Sequence, residues 1–302
     1  MAARIICVGI AVLDQIYAVA RLPIGDGKNF ATGYREVGGG PAATAAVAVA
    51  RLGGEAELWT RLGDDGNGNA ILAEIKAYGV ETGSCRRFAG AASNCSAVAV
   101  DPDGARMIIA FADSTLPTDP SWLPVEHIGK ARGILGDMRW PEGTAHAFEA
   151  ATKIGVPRIL DADAVPEGTL RTPYALASHV LFSRPGLEAF TGDARLAEGM
   201  AMARDRLEGW IAVTDGGNGT WWYDRSGKLT RTPAFRVPVV DTLGAGDVFH
   251  GAFALTLATG FVEDAAIRYA QAVAALKCTK PGGRAGIPSA ADVDNFLGEQ
   301  AG

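Results

Sequence analysis

Residues 239–258, VVDTLGAGDVFHGAFALTLA, constrain the fold more than any other stretch of the chain. The segment opens with apolar β-formers and passes through the small residues Gly244, Ala245 and Gly246. It then continues from Val248 to Leu255 apolar on nearly every side. A helix with that pattern has no face to offer water, so other layers must enclose it. The small-residue turn marks its start and lets the backbone approach a ligand closely. First-turn N–H groups have no intrahelical partner, and together with the helix dipole they form an anion site. Asp247 lies inside that cradle, where a bound anion repels it, so a fold that keeps a carboxylate there has a use for it. The plainer reading of the same residues is a capping Asp after two turn glycines.

At 302 residues the chain is long enough for one large or two unequal domains. A net charge of −6 argues against nucleic acid or an anionic membrane as the main partner. No apolar run reaches the roughly 18 residues of a spanning helix. The apolar run Ile5-Ile6-Cys7-Val8-Gly9-Ile10 is short, lacks a cleavage-like end and runs on to Asp14, so it reads as a first strand and not as a signal core. Cys7, Cys85, Cys95 and Cys278 have neither metal nor redox spacing, which points to reduced thiols and a cytoplasmic protein.

Taken in order, residues 4–13 read as one buried strand. Asp14 then stands at its C-terminal end, where open α/β sheets bind ligands, unless it only turns or caps the chain. Residues 16–37 alternate and turn, with Lys28 in a Gly-Asp-Gly-Lys stretch. Gly38-Gly39-Gly40-Pro41 precedes an Ala/Val-rich helix closed by Gly53-Gly54. It is not GxGxxG, so the dinucleotide fingerprint is absent. Residues 58–62 read as a strand. Residues 93–100 and 105–111, joined by Asp101-Pro102-Asp103-Gly104, read as a hairpin. From Gly133 onward strands and helices alternate, which implies a parallel sheet with helices on both faces. A glycine-rich loop, Asp215 to Gly219, follows the strand that ends at Thr214. There is no GxxxxGK[ST], which excludes a P-loop NTPase.

The sequence Asp241-Thr242-x-Gly244-Ala245-Gly246-Asp247-x-Phe249-x-Gly251-Ala252 resembles the C-terminal motif of the ribokinase-like (PfkB) carbohydrate kinases, and the resemblance runs along nearly the whole chain. It implies an α/β, three-layer ribokinase-like fold whose mainly parallel central sheet carries helices on both faces. It further implies one catalytic domain over residues 1–302, with a small β-sheet lid built from about 15–37 and 93–112. By the same resemblance the amides of Gly244, Ala245 and Gly246 form an anion hole for the transferring phosphoryl group. Asp247 is the base for a sugar hydroxyl, Asp14 grips two sugar hydroxyls, and the backbones of Gly39 and Gly40 approach the sugar. Thr214, Gly216 and Gly219 would line the nucleotide phosphates, and Gln271 would contact the base. Asp241, with carbonyls of the loop 279–288, would hold a monovalent cation. The implied cofactors are ATP, Mg²⁺ and K⁺, and the implied assembly is a homodimer through the lid sheet.

Two departures stand out. The Lys or Asn side chains of the family's first motif are missing from Gly-Gly-Gly-Pro-Ala-Ala-Thr. Where many relatives have Asn-x-x-Glu this chain has Ser183-Arg184-Pro185-Gly186. The stretches GGGPAATA, DVFHGA and ALKCTKPGGRAGIP are similar to the sulfofructose kinase branch. That likeness implies transfer to the 1-hydroxyl of 6-deoxy-6-sulfofructose, with Lys28 and Arg139 holding the sulfonate. Ala110 stands where a lid Asn is expected, so fructose, another ketose, ribose, a sugar acid or a nucleoside stays open. His250 reads as a core histidine.

Overall fold

Ile5, Ile6, Cys7 and Val8 are all fully buried, as expected of a strand covered on both faces. The computed structural model describes residues 2–300. In chain order the first seven strands are β1 (Arg4–Val8), β2 (Val12–Ala18), β3 (Gly33–Gly39), β4 (Glu55–Trp59), β5 (Arg61–Gly63), β6 (Arg86–Phe88) and β7 (Cys95–Val100). The rest are β8 (Arg106–Phe111), β9 (Gly133–Asp137), β10 (Arg158–Ala162), β11 (His179–Ser183), β12 (Trp210–Thr214), β13 (Thr220–Tyr223) and β14 (Leu229–Thr232). The helices are α1 (Pro41–Arg51), α2 (Gly66–Ala77), α3 (Pro141–Thr152), α4 (Thr172–Leu176), α5 (Arg184–Thr191), α6 (Leu196–Arg206), α7 (Ala245–Ala258), α8 (Glu263–Cys278) and α9 (Ala290–Glu299).

The main sheet has the order β14-β13-β12-β11-β10-β9-β1-β4. It is parallel from β4 to β12 and antiparallel at β13 and β14. Side chains alternate between two cores along each central strand. Ile5, Cys7, Leu135, Ile159 and Leu181 join Val248, Phe249 and Phe253 of α7 on one face. Ile6, Val8, Ile134, Leu160 and Phe182 join Phe148 of α3 and Leu187 of α5 on the other. That alternation is what a sheet between two helical layers requires. Because β1 lies between β4 and β9, the chain reverses direction across the sheet there, and ligands of such sheets bind outside the strand ends at that reversal. The apolar-all-round helix expected from the sequence is α7, packed against α1 and α8.

A second, four-stranded sheet has the order β3-β2-β7-β8. Its presence corrects the reading of residues 4–13 as one strand. The chain turns at Gly9, whose φ is 154°, and resumes as β2 in the small sheet. Asp14 therefore sits within β2, opposite Val37 and Ser96, and not at the end of a main-sheet strand. Residues 58–62 are likewise divided between β4 of the main sheet and β5, which pairs with β6. Lys28 lies in the irregular segment between β2 and β3. Among the described residues no helix is long and apolar enough to cross a membrane. Cys7, Cys85, Cys95 and Cys278 are free thiols.

Candidate active site

Helix α7 begins at Gly244, whose φ of 74° is left-handed, a conformation that favours glycine. Its first turn carries Ala245, Gly246 and Asp247, with first-turn amides directed away from the buried body of the helix. The Ala245 amide also donates to the Thr242 carbonyl at 3.2 Å, which closes the turn ahead of the helix. Asp247 is half-buried at this end.

Around Asp247 the C-terminal ends of the central strands gather further ionisable groups. Asp137 closes β9 and is almost completely buried. Its Oδ2 accepts the amides of Ile10 (2.9 Å) and Ala42 (3.2 Å), and its Oδ1 accepts that of Arg139 (2.9 Å). It thereby ties the loop after β1 to the start of α1. Burial nevertheless pushes its pKa up to about 6. Asp161 of β10 is buried beside His250 of α7, with Nδ1 to Oδ2 at 3.0 Å. Burial opposes charging His250, but Asp161 and then Asp247 more than offset it, and the imidazole pKa is raised. Burial, reinforced by Asp161 and Asp137, pushes Asp247 up to about 7, with His250 and Arg284 working against the rise.

Asp14 faces this group from the small sheet. Its Oδ1 accepts the Ser96 hydroxyl at 2.5 Å, and burial raises its pKa. A Cβ on Gly39 would meet Asp14 Oδ2 at 2.3 Å, so the carboxylate lies directly on that glycine backbone. Arg284, 1% exposed, joins the two sides. It donates to the Gly39 carbonyl (2.6 Å), Thr44 Oγ1 (3.2 Å) and Glu74 Oε2 (2.8 Å), and its charge acts on both Asp14 and Asp247. Thr44 in turn borders Gly244, since a Cβ there would lie 3.3 Å from Thr44 Cγ2. Asp14, Gly39 and Asp247 thus converge on one guanidinium.

On the other side of the α7 N-terminus lies a cavity of about 560 Å³. Its wall includes Thr214, Gly216, Gly219, Gln271, Ala245 and Gly246. Phe235, Val237, Val239, Phe249, Ala274 and Ala275 form an apolar portion of it. An apolar slot with a few polar groups at one end is the usual form of a small-ligand pocket. Gln271 spends its amide on Thr220 Oγ1 (3.0 Å) and the Thr232 carbonyl (2.9 Å), while its buried Oε1 has no partner. Ser183 and Arg184, the residues in place of the expected Asn-x-x-Glu, border the same cavity.

The two cations expected near the substrate differ in placement. Arg139 follows β9 and donates to Asp163 Oδ2 at 3.0 Å, so a carboxylate already meets its charge. Lys28 is exposed, with Nζ 6.0 Å over the Phe30 ring, and makes no hydrogen bond or ion pair among the described residues. Asp161, Asp163 and Arg284 were not singled out from the sequence. Asp161-Ala162-Asp163 ends a strand as Asp137 does, and that position was the available signal. Nothing local marks Arg284, which reaches the site across 240 residues from Thr44.

Asp241 does not present a cation site. Its Oδ1 accepts the Leu243 amide (2.9 Å), and its Oδ2 accepts those of Gly282 (3.1 Å) and Gly283 (3.2 Å). The fully buried Lys277 donates to its carbonyl at 2.8 Å. The nearby Cys278 carbonyl accepts the Val240 and Asp241 amides. A donor set of N–H groups and an ammonium does not fit a K⁺ ion, which needs free oxygens.

A cradle of helix-terminal amides, a carboxylate with a raised pKa beside it, and a nucleotide-sized slot behind it define a phosphotransferase class of site. Residues 2–290 match the model of the pfkB family carbohydrate kinases, and the chain belongs to that family. It is 28% identical to the ribokinase of Bacillus subtilis, covering 97% of this chain and 99% of that one. It is 30% identical to fructokinase-1 of Zea mays, covering 96% of each. Its fold matches the crystal structure of a candidate ribokinase from Agrobacterium tumefaciens with a TM-score of 0.94, at 35% identity over 100% of this chain and 99% of that one. An Arabidopsis thaliana ribokinase complexed with ribose and ATP has the same fold, with a TM-score of 0.86 at 24% identity, over 98% of this chain and 99% of that one.

Proposed function

We propose that this sugar kinase transfers the γ-phosphoryl group of ATP to a primary hydroxyl of a ketose-type sugar. The observation that carries the reading is the shared wall at the α7 N-terminus. Ala245 and Gly246 border the 560 Å³ cavity, while Asp247 lies within the field of Arg284, whose charge also acts on Asp14. A nucleotide in that cavity, with its phosphates toward Gly216 and Gly219, would bring its terminal phosphate to the amides of Gly244, Ala245 and Gly246. Those amides would stabilise charge on the transferring oxygens, and Asp247 would take the hydroxyl proton. Asp14 and the Gly39–Gly40 backbone would hold the sugar, and Gln271 would border the base. Mg²⁺ would neutralise nucleotide phosphate charge.

For the sugar, 6-deoxy-6-sulfofructose or a fructose-like ketose is the favoured reading, because Arg139 stands after the β9 end where an anionic tail could exchange with Asp163. Ribose, a sugar acid or a nucleoside is the alternative, favoured by the ribokinase named among the relatives. Coupled ADP release across fructose, ribose, adenosine and 6-deoxy-6-sulfofructose decides between them. The reading fails if no sugar or nucleoside accelerates ADP formation above the ATPase background. We further propose that the small sheet is a lid, that it pairs two copies of the chain, and that the enzyme works in the cytoplasm. Exposed Met107, Ile108, Ile109 and Phe111 on the edge strand β8 support the pairing.

A further inference from the structure

We propose that the Lys277 ammonium serves as a built-in monovalent cation beneath the phosphate-binding loop, so that the enzyme needs no added K⁺ or Na⁺. The inference rests on the kinase reading above and concerns how its anion cradle is held in shape.

Lys277 stands in the last turn of α8, one residue before Cys278 in the cavity wall, and its side chain has no exposure. A buried lysine is rarely kept without a specific partner. Its Nζ donates to the Asp241 carbonyl at 2.8 Å and lies 3.7 Å from Asp241 Oδ1. Three residues further on, Gly244 turns into α7 and directs the amides of the cradle. Lys277 therefore fastens α8 to the segment that aims those amides, and Gly282 and Gly283 fasten the other face of Asp241 to the closing loop.

A second cation reaches the same segment from the small sheet. Arg106 of β8 donates to Thr242 Oγ1 at 3.0 Å and lies 3.9 Å from Asp241 Oδ1. One carboxylate is thus met by three backbone amides and two side-chain cations. A further cation at this place would find its oxygens occupied and would be repelled by the ammonium. The charge that a bound ion would otherwise bring is carried on the chain. Lys277 touches no reacting atom in this scheme. It is a positioning residue that acts through Asp241 and the turn leading to Gly244.

The test compares the wild-type enzyme with Lys277→Met, both with MgATP, in buffers whose only added monovalent cation is tetramethylammonium, K⁺, Na⁺, NH₄⁺ or Cs⁺. Wild-type turnover is expected to be the same in all five. Lys277→Met is expected to lose about 100-fold in kcat in tetramethylammonium, the scale of a misaligned anion hole, and to regain a large part of it with NH₄⁺ or K⁺. A saturable K⁺ activation of the wild type would overturn the proposal. So would a variant as active as the wild type without salt, or a loss that no cation restores. Melting temperature and thallium(I) NMR give a readout that needs no sugar, so they decide the matter even if the kinase reading fails. The wild type should show no saturable thallium(I) binding and no K⁺-dependent rise in Tm, and Lys277→Met should show both. If Lys277→Met does not fold, Lys277→Gln takes its place, and saturable thallium(I) binding by the wild type alone would still sink the idea.

Discussion

Asp247 illustrates what one residue owes to its neighbours. Its pKa is pushed up to about 7 by burial and by Asp161 and Asp137. A general base works in its ionised form, and that form is lost as pH falls through the raised pKa. We therefore expect kcat/KM to fall on the acid side with an apparent pKa near 7, shared with the Asp161–His250 pair. Because protonated His250 holds the Asp247 pKa down, His250→Gln should move that limb to higher pH. A limb that stays in place would remove His250 from the coupling. Asp247→Asn should lower kcat by about 10³-fold or more while ATP still binds by calorimetry. Near-normal turnover would take Asp247 out of the chemistry. At Arg139 the Asp163 partner sets the expectation. Arg139→Ala should reduce kcat/KM for an anionic sugar by roughly 10- to 100-fold and for a neutral one far less. Equal losses would make the residue structural.

At the scale of elements, α7 is held by how closely it can approach α1. A Cβ on Gly251 would lie 2.5 Å from the Ala45 carbonyl oxygen, so the motif glycine is required by helix contact and not by the ligand. Gly251→Val should cost about 1–3 kcal/mol or more in stability, read as a lower Tm and an earlier urea midpoint. An unchanged midpoint would mean that the two helices can separate freely. The element scale is also where sequence periodicity misled. Residues 4–13 and 58–62 each read as one strand, and each is divided between two sheets. Hydrophobicity reports that a residue is buried and is silent on which sheet buries it. The turn that separates β1 from β2 spans only residues 9–11 yet moves Asp14 onto the small sheet.

In the whole molecule the small sheet ends at β8, and every residue of that edge strand is exposed. Such an edge, with Ile108 and Ile109 bare, is a pairing surface unless something covers it. We expect a dimer in sedimentation experiments, and Ile109→Asp should shift it to monomer while leaving the far-UV spectrum unchanged. A wild-type monomer at all concentrations would end the pairing proposal.

The sequence alone was enough to specify the α/β class, the enclosed helix α7 and its glycine-led N-terminus, and it singled out Thr214, Gly216, Gly219 and Gln271, which line one cavity. Those features are local, because periodicity, turn glycines and contiguous motifs are properties of neighbouring residues. Tertiary structure alone brought Arg284 to Asp14 and Asp247, set His250 against Asp161, and closed Asp241 with Lys277 and the Gly282 and Gly283 amides. Burial and charge at a site are sums over groups far apart in the chain. Whether a carboxylate becomes a base or a bound turn is therefore decided by what the fold packs around it.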